Sequence, residues 1–229
     1  MLRLERVAMR YGEGPEVLRH VNLTLKRGEF VFVMGPSGAG KTSLLRLLAL
    51  LRMPSAGRLT MFEEDVGQLS QDRLTAYRRR IGMVFQDLRL LDHLSVFDNA
   101  ALPLRIDGRD DDQIARLVSE VLAWFGLGEV AQARPTSLSM GQRQLVSVAR
   151  AVVTRPDLLL CDEPTANLDP KLTRRLMHLF TALRKLGTTV VLATHSADLV
   201  ERHPHPVLRV VGGGVSGPAP APAALTAAE

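Results

Sequence analysis

The sequence predicts an α/β protein with a mostly parallel sheet, a small antiparallel β subdomain at the N-terminus and an inserted helical subdomain. Three observations carry that prediction. Gly35-Pro36-Ser37-Gly38-Ala39-Gly40-Lys41-Thr42 fits the pattern G-x-x-x-x-G-K-[ST] between an apolar strand, Phe30 to Met34, and a leucine-rich helix, Ser43 to Leu51. Strand and helix patterns then alternate, and the later strands are nearly all apolar, as in a parallel sheet covered on both faces. Residues 2–8 and 17–25 instead alternate apolar and polar positions around the turn Gly12-Glu13-Gly14-Pro15, as in an antiparallel edge.

Each element follows from local chemistry. The glycines at 35, 38 and 40 let successive backbone N–H groups turn inward around phosphate oxygens, and the helix that follows adds a partial positive charge. Lys41 supplies a full charge to the outer phosphates, and the Thr42 hydroxyl is a ligand for Mg²⁺. These are the parts of a P-loop NTPase. Pro54-Ser55-Ala56-Gly57 stops the first helix, and residues 58–62 return as a short strand. Residues 69–80 read as a helix and 81–85 as the next buried strand. From 87 to about 145 the pattern is mainly helical, with Ile114, Leu117, Val118, Val121, Leu122 and Phe125 on one helical stripe. Core elements resume with a helix over 141–153, a strand over 158–161, a helix over 170–186 and strands over 189–193 and 207–211. Residues 1–215 form a single domain in this reading. The Pro/Ala-rich stretch 216–229 has little to bury and is expected to be disordered.

Composition narrows the partners. Among 229 residues, 29 Lys and Arg against 24 Asp and Glu leave a net charge of +5, too modest to require nucleic acid. Arg78-Arg79-Arg80 reads first as a solvated helix face, and no nucleic-acid partner is expected. Cys161 is the sole cysteine, so no internal disulfide forms, and its apolar strand context points to packing. No stretch reaches 18 apolar residues, so membrane contact is expected only through a partner. His203-Pro204-His205-Pro206 reads as a surface turn rather than a metal ligand pair.

A second chemical site ends the strand 158–161. Asp162 and Glu163 then lie at the carboxyl edge of the sheet, where open α/β sheets bind ligands. Asp162 can hold Mg²⁺ through water and Glu163 can polarise an attacking water, although two acids after a strand also suit a helix cap. Leu138-Ser139-Met140-Gly141-Gln142-Arg143-Gln144, followed by Ala149-Arg150-Ala151, resembles the signature motif of ABC-type ATPases. Asp162-Glu163-Pro164-Thr165-Ala166-Asn167-Leu168-Asp169 is similar to their Walker B and D-loop run. Gln86 resembles the Q-loop residue, His195 the switch histidine, and Tyr11 the aromatic that stacks on adenine. These matches run in the family's order across residues 2–211.

The resemblance implies a P-loop ABC ATPase that binds ATP and Mg²⁺ and pairs head to tail as a homodimer. Gly35 to Ser43 would bind one ATP, with Ser139 and Gly141 of the other subunit completing its site. Glu163 would be general base, with Lys41, Gln86 and His195 also catalytic; Thr42, Gln86 and Asp162 would serve the metal, and Asp169 would cross the dimer interface. Met140 departs from the family, which usually has glycine there. If that position needs positive φ or close approach, a Met costs on the order of 1 kcal/mol or more. Arg143 and Leu145 also depart, where Gln and Arg are common.

Arg79 to Asp87, Leu90-Leu91, Val96 to Asn99 and Ala149 to Val153 resemble the cell-division branch of the family. That resemblance implies an FtsX-like integral membrane partner, a position on the cytoplasmic face of the inner membrane at the division septum, and control of periplasmic peptidoglycan hydrolases. Lipoprotein-release and macrolide-export ATPases share much of the same pattern. An ATP-dependent scaffold with little hydrolysis is a further alternative. Gln86 to Leu94 is a candidate docking stretch for the membrane partner, unless Leu88, Leu90 and Leu91 simply fill the helical subdomain.

Overall fold

The computed structural model describes residues 1–219. Its first elements are β1 (Leu2–Arg10), β2 (Glu16–Leu25), β3 (Phe30–Met34), α1 (Lys41–Leu48), β4 (Ala56–Met61), β5 (Glu64–Asp65) and α2 (Gln71–Arg79). Next come β6 (Ile81–Val84), α3 (Val96–Ile106), α4 (Asp111–Phe125), α5 (Met140–Val152), β7 (Leu158–Asp162) and α6 (Pro170–Lys185). The last are β8 (Thr189–Ala193), α7 (Ala197–Arg202), β9 (Val207–Val211) and β10 (Gly214–Ala219). The chain divides into two compact units, Met1–Leu74 with the chain from Thr189 onward, and Thr75–Thr188.

In the first unit, β2, β1 and β4 pair antiparallel, with Leu2 opposite both Leu25 and Met61, and Leu4 opposite both Leu23 and Leu59. Period-two alternation therefore puts all six side chains on one face, and all six are buried. In the same unit β3 runs parallel to β8 and to β9, and β10 adds antiparallel to β9. The helix α1 packs Leu44, Leu45, Leu47 and Leu48 into the core.

Two expectations are corrected here. The first helix stops at Leu48 rather than Leu51, because Leu50 turns into the left-handed region (φ 55) and Leu51 faces solvent. The stretch beginning at 216 is not wholly a tail. Gly212 and Gly213, at φ 55 and 82, make a tight turn, and residues up to Ala219 return as an edge strand on β9. Residues 220–229 of the expected tail lie outside the described residues.

In the second unit β6 and β7 run parallel from Ile81 opposite Leu158 to Val84 opposite Cys161. Every residue of β7 is buried, as the uninterrupted apolar run requires. Burial raises the Cys161 thiol pKa well above its ordinary value, and the neighbouring Asp162 charge adds to that, so this cysteine packs rather than reacts. The helices α3, α4 and α5 pack together, their starts capped by Ser95, Asp110 and Ser139. Arg79 and Arg80 pair with Asp107 at 3.8 Å and Asp157 at 2.7 Å, so the basic run belongs to ordinary surface pairing. No helix among the described residues is long and apolar enough to cross a membrane.

The loop between β6 and α3 is held from inside. Asn99, at 0% exposure, accepts from the Leu91 N–H and directs its amide at the carbonyls of Leu91, Leu94 and Ser95. Replacing it takes the acceptor from the Leu91 N–H and opens a gap in the packed interior, while the Leu91 and Ser95 carbonyls keep the N–H donors of Leu94 and Asn99. Asn99→Ala is expected to cost about 2–4 kcal/mol, read as a lower urea midpoint with an unchanged m-value.

Candidate active site

The first unit supplies a phosphate cradle. Between β3 and α1 the loop exposes Pro36, Ser37 and Gly38 and buries Ala39 and Gly40. Gly40 sits at the N-cap of α1 with φ 110, a torsion that side chains rarely adopt, and a Cβ there would lie 3.2 Å from Leu18 Cδ2 and from the Val17 carbonyl. No side chain caps α1, and its first turn holds no acid. Ser95, Asp110, Ser139, Asp169 and Ser196 do cap the helices that follow them. The start of α1 therefore presents N–H groups and a positive dipole end with no internal anion to satisfy them. Lys41 Nζ donates to the Gly35 carbonyl at 2.8 Å and the Pro36 carbonyl at 3.0 Å, which folds its charge back over the loop.

Tyr11 is tied to this loop. Its hydroxyl lies 3.1 Å from Ser43 Oγ and accepts from Arg46 Nη1 at 3.5 Å, and the Arg52 guanidinium sits 5.3 Å from the ring centroid. Burial raises the Tyr11 pKa, but the hydrogen bonds from Ser43 and Arg46 and the charges of Arg46 and Arg52 outweigh it, and the net shift is downward. His195 joins the same edge. Val33 of β3 lies opposite Ala193 of β8, so Gly35 and His195 each sit two residues beyond that pair. Thr194 is buried, donates its N–H to the Val33 carbonyl at 3.1 Å and accepts from the Ser196 N–H, which leaves His195 exposed between two anchored neighbours.

The second unit repeats that geometry with different chemistry. Val84 lies opposite Cys161, so Gln86 and Glu163 each follow that last pair by two residues, and Asp162 by one. Asp162 is buried, Gln86 is exposed and Glu163 is half-buried. Glu163 takes φ 51, a left-handed torsion in a residue with a full side chain. The chain thus turns sharply just where its acid would work, a kind of strain found at functional sites.

Ser139 and Gly141 open α5. Ser139 forms a capping box, its Oγ accepting from the Gln142 N–H at 3.2 Å while its own N–H donates to Gln142 Oε1 at 3.0 Å. A Cβ at Gly141 would lie 3.1 Å from the Asn167 carbonyl, so the signature start and the segment leading to Asp169 touch. Met140 needs no positive φ: it opens the helix with its side chain 52% exposed, and the expected backbone penalty does not arise. Asp169 caps α6, accepting from the N–H groups of Lys171 and Leu172 at 2.8 and 2.9 Å.

Within the first unit, then, the structure gathers Tyr11, Gly35 to Ser43 and His195. Within the second it gathers Gln86 with Asp162 and Glu163, and Ser139 and Gly141 with the segment before Asp169. Sequence reasoning missed the supporting polar residues Asn99, Ser147 and Arg150. A lone arginine inside the apolar run Val146 to Val153 was the available signal, since a buried cation demands acceptors. Of the two turn histidines, His205 packs: its ring stacks on Phe30 with centroids 4.2 Å apart.

These features define a phosphate-loop ATPase with a signature helix, and comparison with known proteins agrees. The family model described as ABC transporter matches residues 18–166, and the chain belongs to that family. Over 217 residues it is 41% identical to the cell division ATP-binding protein FtsE of Escherichia coli (strain K12), covering 95% of this chain and 98% of that one. It is 40% identical over 206 residues to the methionine import ATP-binding protein MetN of Shigella boydii, covering 88% of this chain and 60% of MetN. A dimeric structure of MJ0796, a bacterial ABC transporter cassette, superposes with a TM-score of 0.88 at 34% identity, covering 95% of this chain and 97% of that one. A second MJ0796 dimer, in a post-hydrolysis state with ADP and Pi, gives 0.87 over the same shares. The chain is an ATP-binding ABC ATPase with the cassette fold: an antiparallel N-terminal sheet, a mostly parallel mixed sheet, and helices.

The geometry at α5 gives a signed expectation. Met140→Gly relieves no strain and adds backbone freedom to a helix start, so it is expected to lower stability by about 0.5–1 kcal/mol. Urea unfolding of the two proteins checks the sign.

Proposed function

We propose that this chain is the ATP-hydrolysing subunit of an FtsE–FtsX-like complex in cell division. In this reading ATP-driven dimerisation works on an FtsX-like integral membrane partner, at the cytoplasmic face of the inner membrane and the division septum, and regulates periplasmic peptidoglycan hydrolysis. The observation that carries it is the 41% identity running over 98% of FtsE. A transporter subunit is the second reading, favoured by the 40% identity to MetN.

The site residues take these roles. The N–H groups of Gly35 to Ser43 and the Lys41 ammonium bind phosphate oxygens, and the Tyr11 ring packs on the adenine. Glu163 is general base, accepting a proton from the attacking water, and His195 donates a hydrogen bond to the γ-phosphate. Ser139 and Gly141 complete the ATP site of a second copy, with Asp169 near that interface. Thr42, Gln86 and Asp162 offer hydroxyl, amide and carboxylate oxygens, a hard donor set that fits Mg²⁺. When bound, that ion would neutralise charge on the phosphate oxygens. Loss of the γ-phosphate removes the bridge between copies and lets them separate.

A groove in the second unit supports a protein partner. It has a volume of about 410 Å³, and its walls include Met83, Phe85, Leu102, Pro103, Ile106 and Arg150. Ile106 is 62% exposed, which is unusual for so apolar a residue beside a groove. The expected docking stretch, Gln86 to Leu94, does not line this groove: Leu88 is buried in the core, and the wall includes Phe85, just before the stretch. The occupant in this reading is an apolar helix from the cytoplasmic side of the membrane partner.

Glu163→Gln is expected to lower ATP turnover by roughly 100- to 10,000-fold while retaining ATP binding and gaining an ATP-dependent dimer, measured by phosphate release and light scattering. Equal, negligible turnover in wild type and variant with the partner present would favour the scaffold reading instead. Ile106→Asp is expected to weaken co-purification of the membrane partner by tenfold or more, about 1.4 kcal/mol. Reconstituted complex that pumps a solute would sink the division role and leave the ATPase intact.

A further inference from the structure

Just beyond Gln86 the backbone adopts an uncommon form. Leu88 and Arg89 are both left-handed, with φ 57 and 49, although neither is glycine. Consecutive torsions of this kind persist only where surrounding groups impose them. Here the imposing group is Arg150 of α5. Its Nη1 donates to the Arg89 carbonyl and its Nη2 to the Leu88 carbonyl, each at 2.6 Å, and Ser147 Oγ also donates to Leu88 O at 3.4 Å.

The turn is closed from within as well. Leu88 N–H donates to the Phe85 carbonyl at 3.0 Å and Arg89 N–H to the Asp87 carbonyl at 2.6 Å, which makes Gln86 and Asp87 its central residues. The Arg89 guanidinium lies 4.2 Å from the Phe85 ring centroid, and its Nε is 3.2 Å from the Asp87 carboxylate. Thus the residue offered to the hydrolytic site rides on a turn whose far end is bolted to α5. Phe85 and Arg150 also line the groove, so the turn and the groove share a wall.

We infer that Arg150 is a positioning residue for hydrolysis: its two-pronged guanidinium holds the Phe85–Arg89 turn in its left-handed form and thereby fixes how Gln86 is presented. The planar guanidinium sends two separate nitrogens, Nη1 and Nη2, to the two carbonyls, and the single nitrogen of the shorter lysine side chain cannot match both bonds at that reach. Its place among buried apolar residues of α5 strengthens the case, because a half-buried cation there needs acceptors.

The inference rests on Gln86 acting in hydrolysis, and the test separates the two. Using the full chain, kcat, the KM for ATP and the Mg²⁺ concentration for half-maximal rate are measured for wild type, Gln86→Ala, Arg150→Lys and the double variant. Amide hydrogen exchange and thermal unfolding are recorded for each. Gln86→Ala is expected to lower kcat about tenfold and Arg150→Lys by a similar factor, with the KM for ATP within about twofold and the Mg²⁺ requirement raised. Exchange at Leu88 and Arg89 speeds up by about tenfold or more in Arg150→Lys, and the double variant is no slower than Gln86→Ala alone. Effects that multiply to about 100-fold in the double variant, or a wild-type kcat in Arg150→Lys, overturn the inference and leave the role of Gln86 standing. A wild-type kcat in Gln86→Ala overturns both. Should the lysine form fail to fold, Arg150→Gln, neutral and single-pronged, must meet the same non-additivity.

Discussion

Parallel pairing of short buried strands is the constraint on which the site depends. Within each unit, strands that run in one direction end at one edge of their own pair, and β7 in one unit and β8 in the other are buried throughout, so polar chemistry enters past the last paired residue of each. Val33 opposite Ala193 ends one such pair and Val84 opposite Cys161 the other. The phosphate loop and His195 follow the first within two residues; Gln86 and the Asp162–Glu163 pair follow the second. Register therefore does what no single side chain does. A slip of one residue would turn every side chain of β7 to the other face and, in one direction, draw Asp162 into the paired stretch.

The edge also decides how the helices that leave it begin. A helix start needs partners for its N–H groups, and six helices among the described residues take one from a Ser or Asp at their start, α2 from Ser70 Oγ. The exception is α1, whose N-cap is Gly40 and whose first turn has no acid. An anion is the partner that both the bare N–H groups and the dipole favour. Lys41 sharpens the preference, because its ammonium lies against the Gly35 and Pro36 carbonyls, beside the same loop. Folding has thus left one positive end open and closed the rest.

The architecture was largely legible because each element has its own period. Alternation in β1 and β2, apolar runs in β3, β7 and β8, and the helical stripe of α4 each predict the element observed. The motif residues were legible for a related reason, since they sit at element ends where pattern and chemistry change together. What escaped was conditional on tertiary contact. Three glycines before a Pro/Ala-rich stretch read as an ending, but β9 offered an open edge, and the turn at Gly212-Gly213 delivered the chain back to it. Met140 looked strained by analogy with glycine, yet the tight place is at Gly141, against the Asn167 carbonyl. No one-dimensional pattern encodes which of two adjacent residues meets a distant carbonyl.

The loop between β6 and α3 shows why the helices of the second unit matter to chemistry at the strand ends. A loop fastened by apolar contacts alone has many nearly equal positions, because dispersion is non-directional. This one is fastened by directed polar bonds: Arg150 at Leu88 and Arg89, Ser147 at Leu88, and the buried Asn99 at Leu91, Leu94 and Ser95. Directed bonds favour one arrangement of the loop over its near neighbours, and losing those at Leu88 removes partners of a buried residue. Left-handed torsions at Leu88 and Arg89 add to the contrast, since they are unfavourable the moment the clamps release. The segment that carries Gln86 is thus tied to α5 at Leu88 and Arg89, and a displacement of α5 bears first on those bonds.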